Sequence, residues 1–169
     1  MARSSKVKGR AHRFGDNIST DLIAPGRLFH LRSNLPELAK HVLEDADPDF
    51  PKKVRPGDFV VGGRNFGCGS SREHAAAIIK LAGVQAVVAQ SFARIFYRNA
   101  INVGLPALIC DTSKIEDGDE LDLDLAAGKL VNLTRGVELS FPPLPPVMRR
   151  ILEEGGLAEF VKKHRDLEL

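Results

Sequence analysis

In the middle of the chain, two spacing patterns of hydrophobic residues alternate. Short apolar runs are separated by longer segments in which apolar residues recur every three or four positions. The runs that predict buried strands are DFVV (58–61), QAVVAQ (85–90) and LPALIC (105–110). Between them we predict one helix over Ser71–Ala82 and a second over 91–103, with Gly83 and Gly104 where the helices stop. This order makes two consecutive βαβ units and indicates an α/β fold, with a partly parallel sheet flanked by helices.

The flanking segments carry weaker patterns. Residues Val7–Phe14 loosely alternate apolar with basic positions, which predicts an edge strand. A long loop of turn-forming residues follows over 16–34, and a loop of that length in a small domain is often functional. The sequence LPELAKHVLEDAD (35–47) predicts an amphipathic helix. Residues 118–141 predict a small antiparallel set of strands, and residues 142–164 a helical tail that begins at prolines.

The two predicted βαβ units bring particular loops together. Parallel strands end at the same edge of their sheet, and the helices that follow them begin there. Ligands of open α/β sheets bind at that edge. We therefore expect the glycine-rich segment 61–74 and the segment QSFAR (90–94) to face one crevice.

The glycine-rich segment VGGRNFGCGSSREH (61–74) has the features of an anion site. Its four glycines let main-chain amides converge without interference from a Cβ atom, and the predicted helix start adds its dipole. Arg72 adds a guanidinium that can hold a carboxylate with two hydrogen bonds. A simpler interpretation is a capping box, in which Ser70 and Glu73 satisfy two amides at a helix start. The order of the glycines fits neither a Walker loop nor a dinucleotide fingerprint.

Composition narrows the class of function. The chain has 169 residues, of which 43% are hydrophobic, and we predict one domain over residues 1–169. Its net charge is +2 and its charges are scattered, so neither nucleic acid nor an anionic membrane is an expected partner. No apolar stretch has the length of a signal peptide or a membrane span, so we expect a cytoplasmic protein. Two cysteines cannot supply the ligands of an iron–sulfur cluster, and we predict no metal ligand in this chain.

Three segments carry a resemblance to a known family. FGDNISTDLIAPGR, GRNFGCGSSREHA and SFARIFYRNAINVGLP resemble signature segments of 3-isopropylmalate dehydratase small subunits, which are similar to the swivelling C-terminal domain of aconitase. The resemblance runs from Phe14 to Leu108. It implies a single swivelling β/β/α domain that closes the active site of a large subunit. It also implies that the large subunit carries a 4Fe-4S cluster, and that the complex removes and re-adds water on a hydroxy di- or tricarboxylate.

The resemblance implies roles for individual residues as well. Ser70 matches the catalytic base, which takes a proton from the carbon beside a carboxylate, and Asp21 matches an aspartate close to that serine. Arg72 matches the arginine that holds a substrate carboxylate, and Ser71 matches a second hydrogen-bond donor. A serine alkoxide needs stabilisation at neutral pH. The helix start, the loop amides and Arg72 could together supply it.

The loop GRLFHLRSNLPE (26–37) bears on substrate choice. Leu28, Phe29 and Leu31 could line an apolar pocket for an isopropyl group, which favours isopropylmalate as the substrate. Arg32 falls near a position where aconitase has a substrate-binding arginine. It is therefore a further substrate-binding candidate, although it could equally face solvent or the partner subunit. With Arg32 in that role, a homoaconitase or a related hydroxy-acid dehydratase is an alternative.

A third interpretation comes from a different class of function. The chain could be a non-catalytic, anion-binding regulatory module that keeps the fold without the chemistry. The intact GSSREH string (69–74) and the absence of a basic stripe argue against that alternative. Arg94 and Arg98 lie at helical spacing, which predicts a stripe facing solvent or the partner rather than the substrate.

Overall fold

A seven-stranded mixed sheet forms the centre of the molecule. The computed structural model describes residues 6–164, and the strands follow one another across the sheet in the order β4-β3-β2-β1-β5-β6-β7. The strands are β1 Lys6–Arg13, β2 Phe59–Val61, β3 Ala86–Ala89, β4 Ala107–Ile109, β5 Glu120–Asp124, β6 Lys129–Asn132 and β7 Val137–Ser140. The α-helices are α1 Thr20–Ile23, α2 Leu35–Ala39, α3 Phe50–Lys53, α4 Glu73–Leu81, α5 Arg94–Val103, α6 Pro146–Glu153 and α7 Leu157–His164. Short 3-10 helices occupy Gly26–Leu31 and Thr112–Lys114.

Strands β1 to β4 are parallel, and their side chains alternate between two cores. Val60 and Val87 pack with the apolar faces of α2, α4 and α5 in one buried cluster. Their neighbours Phe59 and Val88 point the other way and join residues of β5, β6 and β7 in a second buried cluster. Strands buried on both faces read as continuous apolar runs, which is the pattern that predicted them. The expected α/β fold, with a partly parallel sheet flanked by helices, is confirmed.

Strand β1 lies in the centre of the sheet, so the prediction of an edge strand is wrong. It pairs in parallel with β2 and antiparallel with β5. Its polar residues misled the prediction because they are not all exposed. His12 is only 4% exposed, and its Nε2 lies 2.7 Å from Asp58 Oδ2. The same carboxylate accepts hydrogen bonds from the amides of Arg10 and Arg55, so a polar side chain is satisfied inside the sheet.

The helix predicted over 35–47 is shorter than expected and ends at Ala39. Leu43, a few residues on, has a left-handed backbone with φ of 54°. Its amide donates to Ile23 O at 2.9 Å, so this turn is tied to the end of α1. The apolar spacing resembled a helix because Leu38, Val42 and Leu43 are all buried, although the last two lie in turns. Tertiary contacts therefore override the local helical pattern.

The C-terminal segment contains two helices, α6 and α7, that pack against α5. They are separated at Gly155 and Gly156, whose φ values are 93° and 128°. Ile101 of α5 forms a small buried cluster with residues of both C-terminal helices. No helix within residues 6–164 is long and apolar enough to cross a membrane.

We predict that Gly67→Ala destabilises the fold strongly. Gly67 has a φ of 84°, and an added Cβ would overlap the side chain of Phe96. Gly118 is the matched control because it has a φ of 87° and nothing within 4 Å of the added Cβ. Chemical unfolding should show a loss of about 1 kcal/mol for Gly118→Ala and at least about 2 kcal/mol for Gly67→Ala. Equal losses for the two variants would contradict the packing described for this loop.

Candidate active site

Three loops meet at the carboxyl edge of the parallel strands. The Gly67 amide donates to Ile18 O at 2.7 Å, and the Thr20 amide donates to Cys68 O at 2.8 Å. These bonds join the loop after β1 to the glycine-rich loop after β2. The Ala93 amide donates to Phe66 O at 2.9 Å, which joins the same glycine-rich loop to the start of α5. Three separate stretches of chain are thus held together by main-chain hydrogen bonds.

A cleft of about 200 Å³ opens between these loops. Its lining comes from all three segments: Thr20, Gly67, Gly69, Ser70, Arg72, Ala93, Arg94, Ile95, Phe96 and Asn99. The prediction that the glycine-rich segment and QSFAR face one crevice is therefore confirmed. The cleft lies at the start of α5, where the helical hydrogen bonds begin only with the Tyr97 amide donating to Ala93 O at 3.0 Å. The main-chain amides before this bond have no acceptor within the helix, so the start of α5 presents partial positive charge to the cleft. This charge suits the binding of an anion.

Three of the predicted site residues form a connected group. Arg72 Nη2 makes an ion pair with Asp21 Oδ1 at 2.6 Å, and Arg72 Nε donates to Ser70 Oγ at 3.0 Å. Arg72 Nη1 also donates to Ala24 O at 3.4 Å. The arginine side chain is only 18% exposed, whereas that of Asp21 is 61% exposed. Three contacts, one of them with Asp21, hold Arg72 in place, and the hydroxyl of Ser70 faces this cation.

The predicted capping box is not formed, and the helix over Ser71–Ala82 begins two residues later than expected. Helix α4 begins at Glu73, with Arg72 as its N-cap residue and no side-chain cap hydrogen bond. Ser70 lies before the cap, so its hydroxyl does not serve α4. Its main chain is held instead by Thr20, whose Oγ1 donates to Ser70 O at 2.8 Å. The side chain of Ser70 is consequently available to the cleft.

The other predicted site residues lie around this group. Ser71 is exposed and does not line the cleft. Arg32 is exposed outside the cleft, where its guanidinium carbon lies 4.3 Å from the centroid of the Phe29 ring. The guanidinium carbon of Arg72 lies 5.4 Å from the same ring. Arg32 and Arg72 thus share one aromatic neighbour.

The loop residues expected to form an apolar pocket divide into two groups. Leu28 and Leu31 are partly buried and pack against the main core. Phe29 is 45% exposed and does not line the cleft. His74 lies beside it, with ring centroids 6.1 Å apart. Burial lowers the pKa of His74, and the positive charges of Arg72 and Arg32 lower it further.

The cysteines and the acidic side chains in the described part of the chain do not form a metal centre. No group of three His, Cys, Asp or Glu side chains suited to a metal ion occurs within residues 6–164. Both cysteines are free thiols. Burial raises the pKa of Cys110 to about 12, so this thiol stays protonated.

Three polar residues of the cleft were missed from the sequence. Thr20 is only 3% exposed, and Arg94 and Asn99 both line the cleft from α5. Arg94 was assigned to a stripe facing solvent or the partner. Its position at the first residue of a helix that follows a parallel strand was the signal that could have identified it.

Comparison with known proteins defines the class first. Residues 31–112 match the family model for the aconitase C-terminal domain. A solved structure of 3-isopropylmalate dehydratase from Methanocaldococcus jannaschii superposes with a TM-score of 0.90 at 47% identity, covering 95% of each chain. The fold is that of an aconitase-type C-terminal domain.

Relatives of similar length define the family within that class. The chain is 66% identical to 3-isopropylmalate dehydratase small subunit 2 of Archaeoglobus fulgidus, over 97% of this chain and 99% of the relative. It is 62% identical to small subunit 1 of Thermotoga maritima, over 94% and 96% of the two chains. It is also 54% identical to the isopropylmalate/citramalate isomerase small subunit of M. jannaschii, over 94% and 95% of the chains. The chain belongs to the family of 3-isopropylmalate dehydratase small subunits, and the expected enzyme class, a hydro-lyase subunit, is confirmed.

Proposed function

We propose that this chain is the small subunit of a two-subunit hydro-lyase that interconverts 2-isopropylmalate and 3-isopropylmalate in leucine biosynthesis. The observation that carries the proposal is the group formed by Ser70, Arg72 and Asp21 beside the cleft. It combines a candidate base with a fixed cation in a chain that belongs to this family. Both cysteines are free thiols, which suits the reducing cytoplasm in which we expect the enzyme to act.

The 4Fe-4S cluster of the reaction belongs, in this proposal, to the large subunit. The donor set of this chain does not fit such a cluster, because the sequence has two cysteines and residues 6–164 offer no three-ligand group. A cluster with an open iron supplies a Lewis acid for the leaving hydroxyl. This chain then contributes the base and the carboxylate contacts on the other side of the substrate.

Ser70 is the proposed base for the carbon beside a substrate carboxylate. Ser70 acts as its alkoxide, after its hydroxyl proton has passed to solvent water, and the Arg72 Nε–H that already donates to Oγ stabilises this anion. The alkoxide then takes the proton from the carbon and becomes a hydroxyl. The positive end of α5 at the same cleft acts in the same direction. The Ser70 hydroxyl then donates the proton to the carbon that lost its hydroxyl, and water is re-added to the carbon that lost the proton.

Asp21 and Ser71 take supporting roles in this scheme. Asp21 contacts Arg72 rather than Ser70, so it acts on the base through the guanidinium that it orients. Ser71 follows the base directly and is exposed, so it is available as a hydrogen-bond donor once the large subunit covers the site. Arg72 can hold a substrate carboxylate when the carboxylate displaces Asp21 or shares the guanidinium with it.

We predict that Ser70→Ala abolishes turnover of the assembled enzyme without damaging the fold. Because Ser70 does not cap α4, the alanine should leave the unfolding midpoint almost unchanged. The value of kcat should fall about a thousandfold or more, while KM changes little, since the serine acts in the proton transfer. Steady-state kinetics on the complex with the large subunit measure both constants.

Ser71→Ala is the matched control for this experiment because it makes the same change one residue away. It should raise KM moderately and retain most of kcat. A Ser70→Ala complex that turns over within a few fold of the wild type would remove Ser70 from the role of base.

A second candidate function follows from Arg32. Its exposed guanidinium next to Phe29 could bind the extra carboxylate of a tricarboxylate, as a homoaconitase requires, whereas the exposed Phe29 ring suits an isopropyl group. We favour isopropylmalate because Arg32 Nη1 already donates to Phe29 O at 3.2 Å and its guanidinium lies over the ring, which keeps the cation close to its own loop. 

We predict that the wild-type complex has a higher kcat/KM for 3-isopropylmalate than for homocitrate-type substrates. Arg32→Ala should change kcat/KM for 3-isopropylmalate by less than about threefold, because an isopropyl group needs no cation. Steady-state kinetics with both substrates, measured on the wild-type and Arg32→Ala complexes, distinguish the two functions. A wild-type preference for the tricarboxylate that Arg32→Ala removes would establish the homoaconitase alternative instead.

A further inference from the structure

The cleft contains two arginines whose hydrogen-bonding states differ. All three nitrogens of the Arg72 guanidinium are engaged: Nε with Ser70, Nη1 with Ala24 O and Nη2 with Asp21. Arg94 is exposed and makes no ion pair or side-chain hydrogen bond with any residue in the described part of the chain. Arg94 is therefore the cation of the cleft that is free to accept a ligand.

The position of Arg94 also suits an anion. It is the first residue of α5, and the cleft is lined by this first turn, Ala93 to Phe96. Asn99, on the next turn, lines the same cleft, and its side chain has no hydrogen-bond partner within residues 6–164. An arginine fork and an amide donor thus face one small space that they share with Ser70.

Without Arg94, the residues that line the cleft carry too little positive charge to bind a dianion. Arg72 already contacts Asp21 at 2.6 Å and the Ser70 hydroxyl, so it can balance at most one carboxylate of a ligand. A substrate with two carboxylates needs a further cation, since burying an unpaired carboxylate is costly. Arg94 is the remaining cationic side chain among the residues that line the cleft.

We infer that Arg94 is a further substrate-binding residue, which holds the substrate carboxylate that Arg72 does not hold. The inference rests on the proposed function, because it assigns the second carboxylate of the same substrate. Arg94 then fixes the position of the reacting carbon relative to Ser70 from the α5 side of the cleft, and Arg72 fixes it from the glycine-rich loop.

A contact with the large subunit is the competing role for Arg94. Arg94 also lines an apolar groove between α5 and the C-terminal helices, together with Tyr97, Met148 and Ile151. Arg98 lies one helical turn further on and lines this groove but not the cleft. It has the same charge and the same lack of a described partner, which makes it the matched control for the cleft-specific role.

The experiment compares the wild-type, Arg94→Gln, Arg94→Lys and Arg98→Gln chains, each assembled with the large subunit. Steady-state kinetics with 3-isopropylmalate should show a rise in KM of about tenfold or more for Arg94→Gln, with a smaller change in kcat. The KM of Arg94→Lys should lie between those of Arg94→Gln and the wild type, because a lysine keeps the positive charge but cannot form two parallel hydrogen bonds to a carboxylate. Arg98→Gln should stay within about twofold of the wild type.

Two further measurements separate substrate binding from subunit docking. Arg94→Gln should lower the affinity of the complex for a saturated dicarboxylate inhibitor and leave the affinity for its monoamide nearly unchanged. The subunit dissociation constant of Arg94→Gln should equal that of the wild type. A KM within about twofold of the wild type, or weakened subunit association with normal inhibitor binding, would overturn the inference.

The proposed function and the role of Arg94 can fail separately. A wild-type complex without turnover of isopropylmalate would contradict the proposed function. Calorimetric binding of the dicarboxylate inhibitor would then still decide the role of Arg94. Equal affinities for wild type and Arg94→Gln would overturn it, and a clear loss in the variant would support it.

Discussion

The main-chain hydrogen bonds between three loops are the constraint on which the site depends. Ser70 and Arg72 lie on the glycine-rich loop, Asp21 lies in α1, and Arg94 is the first residue of α5. They meet because the amides of Gly67, Thr20 and Ala93 donate to carbonyl groups of neighbouring loops. The glycine at position 67 is essential to this arrangement, since the loop approaches the Phe96 ring too closely for a Cβ atom. The parallel strands bring the loops to one edge of the sheet, and these hydrogen bonds fix the loops relative to one another.

The electrostatic design follows from that positioning. Arg72 contacts the Ser70 hydroxyl, the Asp21 carboxylate and the Ala24 carbonyl, so it is oriented before any substrate arrives. In the proposed reaction, a preoriented cation costs no reorganisation when charge develops on Ser70. In the proposed function, one substrate carboxylate contacts Arg72 and the other contacts Arg94 across the cleft. In the proposed function the Lewis acid comes from the large subunit, and this chain contributes the other half of the active site.

The sequence predicted the parts of the fold that depend on local pattern. The buried apolar runs identified β2, β3 and β4, and the ends of those strands located the crevice. The prediction from hydrophobic pattern was wrong where polar side chains are buried. His12 and Asp58 satisfy each other inside the sheet, which made β1 look like an edge. The Ser70 and Glu73 spacing matches a capping box, yet α4 begins at Glu73 itself. The sequence assigns Arg94 to a stripe facing solvent or the partner, because helical spacing does not show which loops surround the start of a helix.

The most direct test of this account is a titration of the purified large subunit with this chain, followed by turnover of 3-isopropylmalate. Each subunit alone should be inactive, and this chain alone should show no iron–sulfur absorbance in the visible range. Activity should rise with added chain and reach a plateau at equal amounts of the two subunits. Turnover by the isolated chain, or full activity of the large subunit without it, would contradict the claim that this chain supplies half of the site.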